Sequence, residues 1–429
     1  MDIADYAPDQ EALANPSVTA LAALTGFYFA FRLFIMLLSV RLLGTDPQTG
    51  VVLSLALNIL LLLAVALQTL GTPDLAETPL LQLPSVRWVA LFLAFSGCSL
   101  AWSVTASLPA AIAYWCAMAA DVAIVVLLLR ASPVVDVTDS LMKGYVWGAC
   151  AVAVIAWLLP AQSDLRLGDE ELLGPNQIGY LCAFAFFFAQ YRARKKGGNS
   201  MVAAGVLAVT LLRTLSKTTI VAFVIAEAFL LIRDKFLARK TKGMIAAAAV
   251  LAVVLFWSLL SSYFDVYVST GTGSSAETLT GRVGIWTVLL LEAIQRPWFG
   301  HGFHSVWKVI PSFGVFEARH AHNELLQQFY AYGIMGICLL VGLYGSLYRQ
   351  IRRLNPGSLK IFLTAFLIFV LVRGLADTEP FDLSLPLWAI VMFSLLIQNE
   401  LVTKTPLAVA AEEPASFEVV HGSVNVIPL

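Results

Sequence analysis

Four of the chain's five histidines stand close together, as HGFH (301–304) and HAH (320–322). Imidazole is the side chain that titrates near neutrality, at about 6.5, so His301, His304, His320 and His322 are candidates to take or give a proton. The pattern H-x2-H followed by H-x-H also invites a metal reading. Tetrahedral zinc commonly adds Cys or carboxylate ligands, however, and no HExxH helix is present, so neither metal nor cofactor is expected. The plain alternative is a set of interfacial or solvated histidines. Arginine and lysine give the second signal, at Arg213, Lys217, Arg282 and Arg319. A guanidinium grips phosphate through two parallel hydrogen bonds and keeps its charge, so this cation set beside a histidine suits a diphosphate substrate. Snorkelling to lipid headgroups is the bland account of Arg213 and Lys217. Arg282 opens a predicted helix, where the macrodipole disfavours a cation, and this counts against a purely structural role.

The elements that must position these residues are apolar helices. Of the 429 residues, 59% are hydrophobic and 13% charged, against about 25% charged in soluble domains. A bilayer-spanning helix uses about 20 apolar residues, and runs of that kind fall near 18–40, 50–70, 86–106, 109–130, 142–160, 173–190, 200–214, 218–232, 244–262, 326–348, 360–376 and 385–401. The expected fold is all-α and polytopic, with about 12 transmembrane helices. Disorder, coiled coil, a disulfide scaffold and an outer-membrane barrel are excluded, the last because its strands alternate and show no long apolar run. The net charge of −1 gives no field to recruit nucleic acid. The five cysteines lie in apolar runs without a CxxC and read as small core residues.

Basic residues set the orientation. Arg192, Arg194, Lys195 and Lys196, then Arg233, Lys235, Arg239, Lys240 and Lys242, then Arg349, Arg352, Arg353 and Lys360 occupy alternate short loops. Facing these inward puts both termini inside and residues 263–325 outside. A connection this long is uncommon unless it carries function. Within it, RVGIWTVLLLEAIQ (282–295) places Trp286, Leu289, Leu290 and Ala293 on one predicted helical face. Asp377, Glu379 and Asp382 form an acidic outer turn that reads as solvated, with sugar hydroxyls as the alternative ligand. The tail from about 402 reads as disordered.

RHAHNELLQQFYAYGIMG (319–336) resembles the signature of the O-antigen ligase and polymerase superfamily, in which H-N-x9-G-x2-G is filled here by His322, Asn323, Gly333 and Gly336. LTGRVGIWTVLLLEAIQRPWFGHGFHSVW (279–307) is similar to the family's G-R-x3-W block and P-x2-G-x-G turn. LLGPNQIGYL (172–181) resembles its G-x-N block, and RTLSKTTI (213–220) its serine–basic block, with Ser216-Lys217 where Ser-Arg is usual. The four blocks run in the expected order over roughly 170–340.

The resemblance implies a multispanning inner-membrane glycosyltransferase of the GT-C-like type, without metal or nucleotide sugar, whose donor is an undecaprenyl-diphosphate-linked oligosaccharide. On that basis the chain divides into a cytoplasmic N-terminus (1–17), nine spans (18–262), a periplasmic catalytic loop (263–325), three spans (326–401) and a cytoplasmic tail (402–429). It also implies His322 as the base that takes the acceptor's proton, supported by Asn323, Glu324 and His320. Arg282, with Arg213, Lys217 and Arg319, would hold the diphosphate. The contiguous GRVGIW, GHGF and HAHN wording looks most like the exopolysaccharide polymerases. Transfer to lipid A core by a ligase is the alternative acceptor chemistry, and a precursor flippase, with Arg32 or Asp121 as a coupling site, is the alternative of another class. The expected partners are the lipid-linked oligosaccharide, the bilayer and polysaccharide chain-length or export proteins, and no nucleic acid.

Overall fold

Asn15, Asp46 and Ser107 each stand immediately before or within one residue of a proline, the sequence mark of a helix start. In the computed structural model each caps a helix with its side-chain oxygen, on the amides of Ser17, Thr49 and Ala110 respectively. The structure describes residues 15–72, 79–160, 162, 166–169, 172–196, 200–233, 240, 242–244, 247, 279–307, 320–379 and 383–410. Its helices are α1 (Pro16–Arg41), α2 (Pro47–Thr69), α3 (Pro84–Ser99), α4 (Leu108–Ala131), α5 (Val134–Leu158), α6 (Pro175–Lys196), α7 (Ser200–Arg213), α8 (Lys217–Arg233), α9 (Leu279–Gln295), α10 (Glu324–Arg353), α11 (Ser358–Gly374) and α12 (Leu387–Ala410). Among the described residues the extended pairing is a lone bridge between Asp169 and Leu173. Among the described residues six helices are long and apolar enough to cross a membrane by length and composition, and α7 and the start of α12 are shorter apolar helices. The chain is an all-α polytopic membrane protein. The ninth expected span, 244–262, lies almost wholly outside the described residues.

Two expectations are corrected. Helix α5 begins at Val134, eight positions before the apolar run at 142, and in this polar start Asp139 holds Arg192 of α6 at 2.9 Å. Of the cysteines, Cys182 is in the core, whereas Cys98, Cys116 and Cys338 face outward from the bundle. Arg32 and Asp121 are ion-paired to each other, with Asn58 donating to Asp121 at 3.0 Å, so the buried Asp121 carboxylate and the half-buried Arg32 are partnered within the bundle.

Small residues set how closely helices approach. A Cβ at Gly26 would run into the Leu141 carbonyl, and one at Gly144 into that of Ala23, so α1 and α5 pack backbone to backbone. Aromatic side chains of α6, α11 and α12 (Phe184, Phe187, Phe188, Phe366, Phe369 and Phe393) interlock as a buried plug. Above it, Tyr180 of α6 lies under the guanidinium of Arg373, 4.2 Å from ring centroid to Cζ.

Helix α10 is broken at Gly333, where φ is 63° and ψ −152°. Inside a membrane the backbone groups freed by such a break need partners, and the P-x2-G-x-G turn supplies them. Ile334 N donates to Pro297 O at 2.7 Å and Met335 N to Trp298 O at 3.3 Å, while His301 N and Gly302 N donate to Tyr330 O and Ala331 O at 3.0 and 2.8 Å. The turn is thus spliced into the helix break. Neither Gly300 nor Gly333 has room for a Cβ, which would meet Ala331 and Tyr332 backbone in one case and Pro297 and Trp298 backbone in the other. Gly333→Ala forces a glycine-only conformation, costing on the order of 1–3 kcal/mol. Gly345→Ala in the same helix meets open space, so thermal unfolding in one detergent should drop for the first variant and hold or rise for the second.

Candidate functional site

Three blocks that are distant in sequence meet at one end of the bundle. The first is the histidine loop. Trp286 of α9 donates to Ala321 O at 2.9 Å, and Gln327 Oε1 of α10 accepts from Ala321 N at 3.1 Å, so this peptide is clamped from two sides. Asn323 then caps α10, accepting from Leu326 N and donating to Leu375 O, both at 2.9 Å. Held between these anchors, His322 takes a left-handed backbone with φ 49°. A non-glycine residue held there stores strain, a feature that clusters at functional sites.

What the His322 ring meets is Asp377. Its Nδ1 lies 3.1 Å from Asp377 Oδ1, and His320 Nε2 lies 3.4 Å from the same oxygen. Arg373 Nη2 approaches Asp377 Oδ2 at 3.3 Å and Glu379 Oε1 at 2.9 Å. Asp377 and Arg373 are each 1% exposed and His322 8%. The acidic turn is therefore not a solvated face at Asp377; Asp382 lies outside the described residues. Burial pushes the Asp377 carboxyl up, but the Arg373 guanidinium and the two imidazole hydrogen bonds outweigh it and hold the carboxyl well below its usual range. A fixed carboxylate at Nδ1 keeps the proton there and leaves Nε2 bare, the tautomer a general base needs. Burial, with the neighbouring His322, lowers the His320 pKa against the pull of Asp377.

The second block lies at the start of α8. Arg282 donates from Nη1 to Thr218 Oγ1 at 3.0 Å, joining the first turn of α9 to the Ser216-Lys217-Thr218 turn. Arg282 Nε is buried with no hydrogen-bond partner among the described residues. Arg282 and Trp286 are four residues apart on α9, one on the α8 turn and the other on the histidine loop, so about 6 Å of helix axis separates the two attachments. The third block comes in through Arg166, which donates to Thr214 O at 3.1 Å and to Asn176 Oδ1 at 3.0 Å. Its grip precedes Leu215, another left-handed residue at φ 54°. Lys217 opens α8, whose N-terminal amides and dipole favour an anion.

Each sequence candidate can now be placed. His322, His320, Arg282 and Lys217 converge in these blocks, and Arg213 closes α7 beside the same turn. Arg319 lies outside the described residues. Asn323 and Glu324 do not orient His322. Asn323 is spent on capping, and Glu324 is buried, accepting from Tyr344 OH at 2.9 Å and Ser384 N at 2.7 Å. Asp377 takes that place. His301 stacks on Tyr330 at 4.3 Å, and His304 bonds Thr105 at 2.8 Å, so the HGFH pair does not join HAH. Burial lowers the pKa of both, His304 to about 4, which keeps them uncharged near neutrality. The α9 face is also offset from expectation: Ile285, Leu289 and Ala293 are buried, and Leu290 is exposed. Sequence reasoning missed Asp377 as a histidine partner and did not single out Arg166 or Arg373 as site residues.

Residues 202–341 match the O-antigen ligase family model. Arg213, Lys217, Arg282 and His322 all fall inside that match. An O-antigen ligase of Pseudomonas aeruginosa PAO1 is 26% identical over 181 residues, spanning 42% of this chain and 42% of that protein. Both similarities support the O-antigen ligase and polymerase superfamily. With the apolar helices they indicate a multi-pass bacterial membrane protein.

Proposed function

We propose that this chain transfers a lipid-diphosphate-linked glycan to a sugar hydroxyl at the periplasmic face of the inner membrane, without metal or other cofactor. The observation that carries the reading is the His322–Asp377 pair, 3.1 Å apart and buried at the end of the bundle where Arg282 meets the start of α8. His322 Nε2 takes the acceptor hydroxyl proton as that oxygen attacks the anomeric carbon. The bond from that carbon to the diphosphate oxygen breaks, its electron pair leaves with the lipid diphosphate, and one displacement inverts the centre. Arg282, Lys217 and Arg213 with the α8 amides balance the charge on the leaving group, as fixed cations and dipoles do in a water-poor site. Undecaprenyl diphosphate is the lipid the resemblance implies, and chain-length or export proteins are its natural neighbours.

Two acceptors share this chemistry. A growing lipid-linked chain makes a polymerase of surface or exopolysaccharide repeat units, the reading favoured by the sequence wording. Lipid A core makes a ligase, the activity named for the similar Pseudomonas protein. The lipid profile of a null strain separates them. Accumulation of single lipid-linked repeats with loss of long polymer marks a polymerase; polymer that stays on its lipid carrier marks a ligase. An unchanged profile contradicts both.

The topology that serves this reading has both termini cytoplasmic and 263–325 periplasmic. Reporter fusions at Ser274 and Gly357 should report opposite compartments, and one shared compartment would remove the site from the periplasm. Arg282 supplies the diphosphate grip, so Arg282→Ala should lower transfer by about 10²–10³-fold. Arg282→Lys should recover little, because an ammonium cannot reproduce the two-bond fork. Full activity in the lysine variant would reduce the arginine to a point charge.

A further inference from the structure

We infer that His320, His322 and Asp377 form a Zn²⁺-binding site whose occupation silences transfer. The ligand atoms of the three side chains all lie within 4.8 Å of one another. Atoms bound at about 2.0–2.1 Å around a tetrahedral zinc stand about 3.3–3.4 Å apart. His322 Nδ1 and His320 Nε2 stand 3.1 and 3.4 Å from Asp377 Oδ1, so two of the three edges are already near that length. A small rotation of one imidazole closes the third, and a water completes the tetrahedron. The charge is also right for a cation, since Asp377 and Glu379 outnumber the single guanidinium of Arg373 that binds them both. Two imidazoles and a carboxylate are borderline-soft ligands that favour zinc over magnesium or calcium.

The site differs from a catalytic zinc because the ion would occupy the wrong atoms. Zinc at His322 Nδ1 takes the lone pair of the other tautomer, so the ring's single proton moves from Nδ1, where Asp377 held it, to Nε2. That is the nitrogen which must be bare to receive the acceptor's proton. The ion also separates Asp377 from the ring it orients. This silencing step rests on His322 acting as the base; the binding itself does not.

The test uses the purified full chain in lipid nanodiscs, stripped of metal, titrated with zinc chloride against a fluorescent chelator. One zinc per chain is expected, with affinity reduced at least about 10-fold in His320→Gln and in Asp377→Asn. Zinc K-edge absorption on the wild-type protein needs no variant and should show imidazole ligands. Absence of binding, or binding that both variants leave untouched, overturns the site, as does a spectrum without imidazole. Zinc added to the transfer reaction should abolish turnover, and excess EDTA should restore it. Full turnover with zinc bound would overturn the silencing and the base assignment while leaving the metal site standing. Zinc binding is read without glycan, so its failure leaves the transfer reading untouched.

Discussion

His322→Ala in cells should abolish the glycan product while the protein still reaches the membrane at its normal level. Loss of a positioned general base typically costs about 10²–10⁴-fold in rate, enough to erase a product scored by gel. The loss should fall on kcat with KM little changed, because the imidazole acts on a proton moving in the transition state. His320→Ala is the informative neighbour. It shares Asp377 but at the longer distance of 3.4 Å against 3.1 Å for His322, and it has a milder expected effect. Normal product from His322→Ala would pass the base role to His320.

Asp377→Asn should be as severe, on the order of 10³–10⁴-fold, the loss seen when an orienting carboxylate behind a catalytic histidine becomes an amide. The amide can donate to Nδ1, which favours the tautomer with its proton on Nε2, the useless one for a base. Arg373 also pairs with Glu379, at 2.9 Å, so the substitution does not strand the buried guanidinium and the protein should accumulate. Turnover measured with saturating donor separates a wrong tautomer, which lowers kcat, from a disturbed binding site, which raises KM. Wild-type turnover in Asp377→Asn would show that the ring needs no carboxylate.

The spans were legible because apolar length is a one-dimensional signal. Eleven expected runs correspond to helices. His322 and Arg282 were legible because spacing within a block survives in sequence. Asp377 was not, since it lies 55 positions from His322 and its burial comes from α11 folding back against α10. A carboxylate in a loop reads as solvated until the fold closes over it. Arg166 failed for the same reason, standing among acidic residues with no spacing to mark it. The α9 face came out shifted because RVGIWTVLLLEAIQ is apolar nearly all round, and such a helix leaves its buried side for its neighbours to choose.

The most direct measurement is single-turnover transfer by purified protein in nanodiscs, with excess EDTA, from a lipid-diphosphate-linked oligosaccharide to a hydroxyl acceptor. Free lipid diphosphate and extended glycan should appear together, one for one, with an inverted anomeric centre in the product. His322→Ala should release neither. Lipid diphosphate released at the wild-type rate by His322→Ala, or turnover that EDTA stops and a divalent ion restores, would contradict a metal-free reaction driven by this histidine.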